Sequence, residues 1–348
     1  MEYIALKNIC KINMGQSPDS SSYNDNKDGI PFFQGNADFG EKYPVTRVWC
    51  NAPIKVAQPN DILISVRAPI GALNFAKEEC CIGRGLAALT PDRSKVSLEF
   101  IYWVLKWKKA ELNSKGTGST FKAISRKVLE ETLVPAIDFE KQYEYAEILG
   151  KTYSVIKKYK KELNCLDGLI KARFVELFDG KYPEDTLLNL CNIVDYRGKT
   201  PEKVEHGLPF ITAKNVKMHH MTLEPREYIS KETYDKVMVR GFPKEGDVVF
   251  TTEAPLGNVC RIPHFDTEFY IGQRIVTMQT DALNPTYLEY ALSDEEFVRK
   301  YMGKSSGSTV TGIRVRLLEQ LTIPVPPRTL QDEFATFVNQ VDKSKLFS

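Results

Sequence analysis

Apolar residues along this chain follow a strand-like pattern, give way near the middle to a long helical period, and then return to the first pattern. Short apolar runs at residues 61–65 (DILIS) and 248–250 are of strand length and are entered from turns rich in Pro, Asn and Gly. Residues 98–107 and 285–292 carry apolar positions at helical spacing. A Gly/Ser/Thr stretch follows each and reads as a loop. After the first loop, residues 125–130 predict a short helix with Ser125 as N-cap. A strand ending at Pro135 comes next, and residues 321–324 repeat it. Mixed α/β (α+β) domains are the expectation, without a strand order.

The two halves are copies of one another. Lys115-Gly-Thr-Gly-Ser-Thr120, Ile124, Leu129-Glu130, Val134-Pro135 and Gln142 match Lys304-Ser-Ser-Gly-Ser-Thr309, Ile313, Leu318-Glu319, Ile323-Pro324 and Gln331, each pair 189 residues apart. A gapless match of this length is hard to obtain by chance. Upstream it continues with gaps: the run from Asp61 to Gly71 matches that from Asp247 to Gly257, Ile82-Gly83 matches Ile271-Gly272, Ile30-Pro-Phe32 matches Leu208-Pro-Phe210, Asn36 matches Asn215, and Leu6 to Cys10 matches Leu187 to Cys191. Each copy is one domain, with insertions in its loops.

Residues 139–178 contain no proline. Leu149, Ile156, Leu163, Ile170 and Leu177 recur every seven residues, and Tyr145, Thr152, Tyr159 and Leu166 interleave with them. This is an a/d seam, with Arg173 out of place at a d position. A helix of 40 residues spans roughly 60 Å, and Gly180 suits its C-cap. A hairpin folded within one domain is the alternative; a rod between the copies is favoured, because a narrow seam needs a partner helix. The repeat predicts that partner to begin after the second copy, through Gln331, Phe337 and Val341, as a shorter helix. The expected division is therefore 1–138, 139–180, 181–327 and 328–348. Heptads left without a partner favour self-association.

Charge changes the picture little. The 47 Lys+Arg against 45 Asp+Glu leave a net charge of +2, so any nucleic-acid face must come from local segregation of charge. The basic run from Lys157 to Lys161 reads first as a solvated helix face. Seven cysteines without a C-x-x-C argue against disulfides and zinc, and reduced thiols are expected. His219 and His220 read as a polar loop pair. With neither a signal peptide nor a membrane-length apolar run, a cytoplasmic location and no membrane partner are expected.

The paired G-S-T loops, Gly118-Ser119-Thr120 and Gly307-Ser308-Thr309, the L-x-x-x-x-[IV]-P strands ending at Pro135 and Pro324, and the helix segment Leu166-Asp-Gly-Leu-Ile-Lys-Ala-Arg-Phe174 together resemble the specificity subunit of type I restriction-modification systems. The resemblance covers essentially the whole chain. It implies two target recognition domains in a pseudo-twofold arrangement, each reading half of a bipartite DNA sequence. Long antiparallel helices would set the spacer and dock two methyltransferase subunits, with restriction-translocase subunits joining in some complexes. It also implies no catalytic site and no cofactor in this chain; S-adenosylmethionine, ATP and Mg²⁺ would belong to the partners. The second helix is shorter than the family pattern, which puts ordinary assembly in question.

Phosphate contacts supply affinity and base contacts supply specificity. Lys115, Ser119, Thr120, Lys122, Lys304, Ser308, Thr309, Arg314 and Arg316 in or beside the G-S-T loops are candidate phosphate ligands, with a tight turn docked on the helices as the alternative. Base readers should lie where the copies differ and carry Arg, Lys, Asn or Gln. Gln16, Gln34, Asn36, Arg67 and Arg84 qualify in the first copy; Arg197, Lys199, Lys214, Asn215, Gln273 and Arg274 qualify in the second.

Enzymatic signatures are missing. Gly303-Lys304-Ser305 resembles the end of a P-loop, but Val298 stands where the first glycine is needed. There is no E-x-K nuclease ending, no G-x-G-x-x-G, no H-E-x-x-H and no D-P-P-Y-like methyltransferase loop. A stand-alone DNA-modifying enzyme and a coiled-coil assembly variant that binds methyltransferase subunits without normal recognition are the competing readings.

Overall fold

A computed structural model describes residues 2–118, 122–196, 201–307 and 311–346. The chain forms two compact units, Met1–Lys157 and Lys158–Ser348. Each holds a β-rich domain built on a four-stranded sheet of the same strand order, and the domains are linked by long helices.

In the first unit a four-stranded antiparallel sheet has the order Cys10–Met14, Leu86–Pro91, Ile62–Ser65, Leu73–Phe75. In the second the same order is Asn192–Asp195, Ile275–Gln279, Val248–Thr251, Val259–Arg261. Both faces of these sheets are covered, which is why residues 62–65 read as a continuous apolar run instead of alternating. Ile62 and Ile64 face a core with Phe100, Ile101 and Leu105 of the helix Leu98–Trp107. Leu63 faces a second core with Phe33, Ala57 and Ile82. Val248 and Phe250 on one side and Val249 on the other repeat the division. The buried Asp61 and Asp247 close the turn before each strand by accepting from the amides of Gln58 and Lys244.

The strand Ile30–Phe33 pairs in parallel with Cys80–Ile82, as Leu208–Ile211 does with Tyr270–Ile271. The ends of each domain are tied by two-stranded pairs, Tyr3–Ala5 with Leu133–Pro135 and Glu184–Thr186 with Thr322–Pro324. The L-x-x-x-x-[IV]-P segments thus close the domains. Two buried glutamines anchor the helices that follow. Gln142 accepts from the Ser97 amide and donates to the Ile137 carbonyl; Gln331 accepts from the Asn284 amide and donates to the Pro326 carbonyl. Gly71 and Gly257 hold φ of +83° and +91° in matching turns, and a Cβ on Gly257 would lie 2.2 Å from the Tyr301 hydroxyl.

The long helix is continuous over Phe139–Phe178 and ends with Gly180 at φ +62°. The shorter helix Arg328–Leu346 packs on its second half. Arg173 pairs with Glu333 at 2.9 Å and Asp167 with Lys345 at 2.8 Å, so the two helices run antiparallel. The seam differs from the expected heptads. In its second half Ile170, Phe174 and Phe178 are the buried residues, with Leu166 and Leu177 partly buried beside them. The spacing of four follows the 3.6-residue period of a helix packed on a globular core, not the 3.5 of a coiled coil. Arg173 accordingly turns outward to Glu333. Leu163 is half-buried, while Leu149 and Ile156 are 44% and 45% exposed. Ser125 stands at the N-cap of Arg126–Glu130 as expected, but its side chain accepts no capping hydrogen bond.

Candidate nucleic-acid interface

In the first domain the turn after Cys80–Ile82 brings several candidates together. Gly83 and Gly85 flank Arg84 and lie against Gln34; a Cβ on Gly85 would sit 2.5 Å from the Gln34 carbonyl oxygen, and one on Gly83 2.8 Å from its Oε1. Ser17 joins the group. Its Oγ accepts from Gln34 Nε2 at 3.1 Å and from the Arg84 amide at 3.3 Å. Gln16 is exposed beside it, its amide donating to the Ile82 carbonyl. Arg67 is reached through the bond from the Val66 amide to the Gly85 carbonyl, and Lys122 through the bond from the Ala68 amide to its own carbonyl. Arg67, Arg84 and Lys122 are exposed cations with no ion pair among the described residues. Asn36 is half-exposed at the start of a short helical turn. Lys115 is engaged with Glu111 at 2.6 Å; Lys108 and Lys115 together hold that carboxyl below its ordinary range.

In the second domain Lys214, Gln273 and Arg274 line one cleft of about 700 Å³, its open mouth included, together with Lys203, Phe210 and Glu227. Gln273 also lines the neighbouring cleft with Glu253, Ser306 and Arg314. Gln273 thus joins Lys214 and Arg274 in the one cleft to Arg314 in the other. Lys203 Nζ lies 2.8 Å from Glu227 Oε2, and Arg274 Nε lies 2.9 Å from Glu253 Oε1. Arg274 is thus already neutralised, which position in the sequence did not reveal. Lys304 and Arg316 are exposed, at the end of Glu295–Lys304 and on Val315–Leu318.

Asn215 requires correction as a base reader. It is 1% exposed, and its side chain is consumed by its own loop. The oxygen accepts from the Thr212 amide and hydroxyl, and the nitrogen donates to the Thr222 and Pro225 carbonyls. Ser119, Thr120, Arg197, Lys199, Ser308 and Thr309 lie outside the described residues.

His219 is not a simple loop residue either. It stacks on Tyr290 at 4.3 Å, and its Nδ1 lies 3.0 Å from Glu289 Oε1. The buried Glu289 is also bound by Arg261 at 2.6 Å. Burial pushes the Cys10, Cys80, Cys191 and Cys260 thiols up to about 12; all seven cysteines are free. Among the described residues no group of three or more His, Cys, Asp or Glu could hold a metal, and no helix is long and apolar enough to cross a membrane.

A profile described as the type I restriction modification DNA specificity domain matches residues 1–165 and 186–346. The chain belongs to this DNA specificity family. Within the family, it is 42% identical over 171 residues to the putative type I restriction enzyme MjaX specificity subunit of Methanocaldococcus jannaschii, a match covering 49% of this chain and 40% of that relative. It is 23% identical over 317 residues to the MjaVIII specificity subunit of the same organism, covering 82% and 73%. The crystal structure of the type I restriction-modification S subunit from M. genitalium shares its fold, with a TM-score of 0.60 and 15% identity over 99% of this chain and 90% of that one.

Proposed function

We propose that this chain reads a bipartite DNA target as the specificity component of a type I restriction-modification complex, one half-site per domain. The domains would occupy 1–138 and 181–327, with the helices 139–180 and 328–348 setting the spacer. The observation that carries this reading is a shared framework bearing different polar residues on equivalent turns. One scaffold displayed twice, with its hydrogen-bonding chemistry changed, suits two different half-sites. Methyltransferase subunits binding the helices would supply S-adenosylmethionine chemistry, and restriction subunits the ATP- and Mg²⁺-dependent steps, in the cytoplasm and away from membranes. This chain positions DNA and carries out no reaction itself.

A specific observation also favours association through the helix. Tyr145, Ile148, Leu149, Ile156 and Tyr159 are exposed apolar residues on Phe139–Phe178. Such a face suits docking of a partner's helix or of a second copy of the chain.

The salt dependence of DNA binding tests the electrostatic part. Each phosphate contact contributes about 0.9 to the slope of log affinity against log salt. Replacing Lys122 with Gln is expected to lower that slope by about 0.9. Between 50 and 200 mM salt the wild-type chain should then lose roughly three- to fourfold more affinity than the variant. An unchanged slope would remove Lys122 from the phosphate-contacting surface.

A further inference from the structure

The backbone defines which residues of the two domains are equivalent more sharply than side-chain identity does. Phe33 pairs with Ile82 in the parallel strands of the first domain, and Ile211 with Ile271 in the second. The Gly83 amide then donates to Phe33, and the Gly272 amide to Ile211, each at 2.8 Å. Two residues on, the Gly85 carbonyl accepts from the Val66 amide, and the Arg274 carbonyl accepts from the Thr252 amide, each at 2.9 Å. Gly85 is thus the counterpart of Arg274, and Arg84 of Gln273. The next position follows from isolated bridges: Arg67 pairs with Ala123, itself bridged to Thr117, and Glu253 pairs with Gly312, itself bridged to Ser306. Arg67 is the counterpart of Glu253.

The two surfaces therefore differ in a defined way. The first domain carries Arg67, Arg84 and a glycine, two cations without ion pairs among the described residues. The second carries Glu253, Gln273 and Arg274, and the two charges there cancel in one ion pair at 2.9 Å. At the central position an arginine fork in one domain is replaced by a carboxamide in the other. Arg84 stands on a turn whose flanking glycines are packed against Gln34, so its backbone is fixed while its side chain remains exposed.

These side chains have distinct partners in the major groove. An arginine fork matches the O6 and N7 acceptors of guanine, and a glutamine amide matches N6 and N7 of adenine. We propose that this one turn position sets a base in each half-site, Arg84 selecting guanine in the first and Gln273 selecting adenine in the second. The assignment rests on the proposed function, that each domain grips its own stretch of duplex.

Selection of duplexes from a random library by the full chain, as wild type, Arg84→Gln and Gln273→Arg, tests it. Arg84→Gln should exchange guanine for adenine at one position of one half-site, changing the preference on the order of 10- to 100-fold, and leave the other half unaltered. Gln273→Arg should produce the reverse exchange in the other half. Arg84→Ala should relax the first position without imposing a new base, which separates reading from folding. Selection of the same bases by wild type and all variants would overturn the assignment while leaving the proposed function standing. A wild-type chain that selects no sequence would contradict the proposed function itself, and the assignment with it.

Discussion

Replacing Arg261 with Ala is expected to destabilise the second domain by about 3–5 kcal/mol, because it leaves the Glu289 carboxylate buried without its main counter-ion. Glu289 is 2% exposed at its side chain and is bound by Arg261 at 2.6 Å and by His219 at 3.0 Å. The duplicated domain supplies the control. Arg261 is placed as Phe75 is, in the strand paired to residue 248 or residue 62. Glu289 is placed as Tyr102 is, five residues after the helix-start residue whose amide is held by Gln331 or Gln142. Phe75 and Tyr102 stack with centroids 4.8 Å apart, so one domain fills this position with rings and the other with an ion pair. Arg261→Phe combined with Glu289→Tyr should therefore recover most of the loss, since a well-packed apolar pair commonly equals or exceeds a buried ion pair in stability. Urea unfolding of the full chain measures both. A single Arg261→Ala variant as stable as wild type would show that the pair contributes nothing.

Phe334→Ala should cost about 3–5 kcal/mol, the usual loss for deleting a fully buried ring. Phe334 has no exposed surface and meets the rings of Phe174, Phe178 and Tyr290 at 5.4–5.5 Å. It thereby joins the shorter helix, the second half of the long helix and the helix Pro285–Ser293 in one core. The loss should appear in the unfolding of the second unit alone. By the repeat, Phe334 corresponds to Tyr145, which is 44% exposed, so Tyr145→Ala should alter stability far less. Equal effects from the two substitutions would contradict this division of the helices into a packed and an exposed stretch.

The duplication was legible in the sequence because the repeated segments perform backbone tasks. Asp61 and Asp247 close turns, Gln142 and Gln331 anchor helix starts, and the segments ending at Pro135 and Pro324 complete small sheets. Such tasks constrain residue type in both copies. The long helix was legible in extent, from Phe139 to Phe178, but its buried line was not. A heptad template selects Arg173, whereas packing on a globular core selects Phe174. The interface was legible as a surface and not residue by residue. Gln34 and Arg84 meet through Ser17, which carries no strong chemical signature. Asn215 has the side chain of a base reader and is used to close a loop. Arg274 and Glu253, 21 residues apart, become partners only when the turns are folded. The Arg261–Glu289 pair was also hidden, because a charged residue inside a helical pattern reads as a solvent-facing position.

Mapping N6-methyladenine in the DNA of cells that carry this chain with the methyltransferase subunit proposed as its partner tests most directly whether each domain reads its own half of the target. The expected result is an asymmetric motif of two short blocks separated by a fixed gap, in which exchanging residues 181–327 for the corresponding domain of a relative changes one block and leaves the other intact. A single uninterrupted motif, or alteration of both blocks by that exchange, would contradict it.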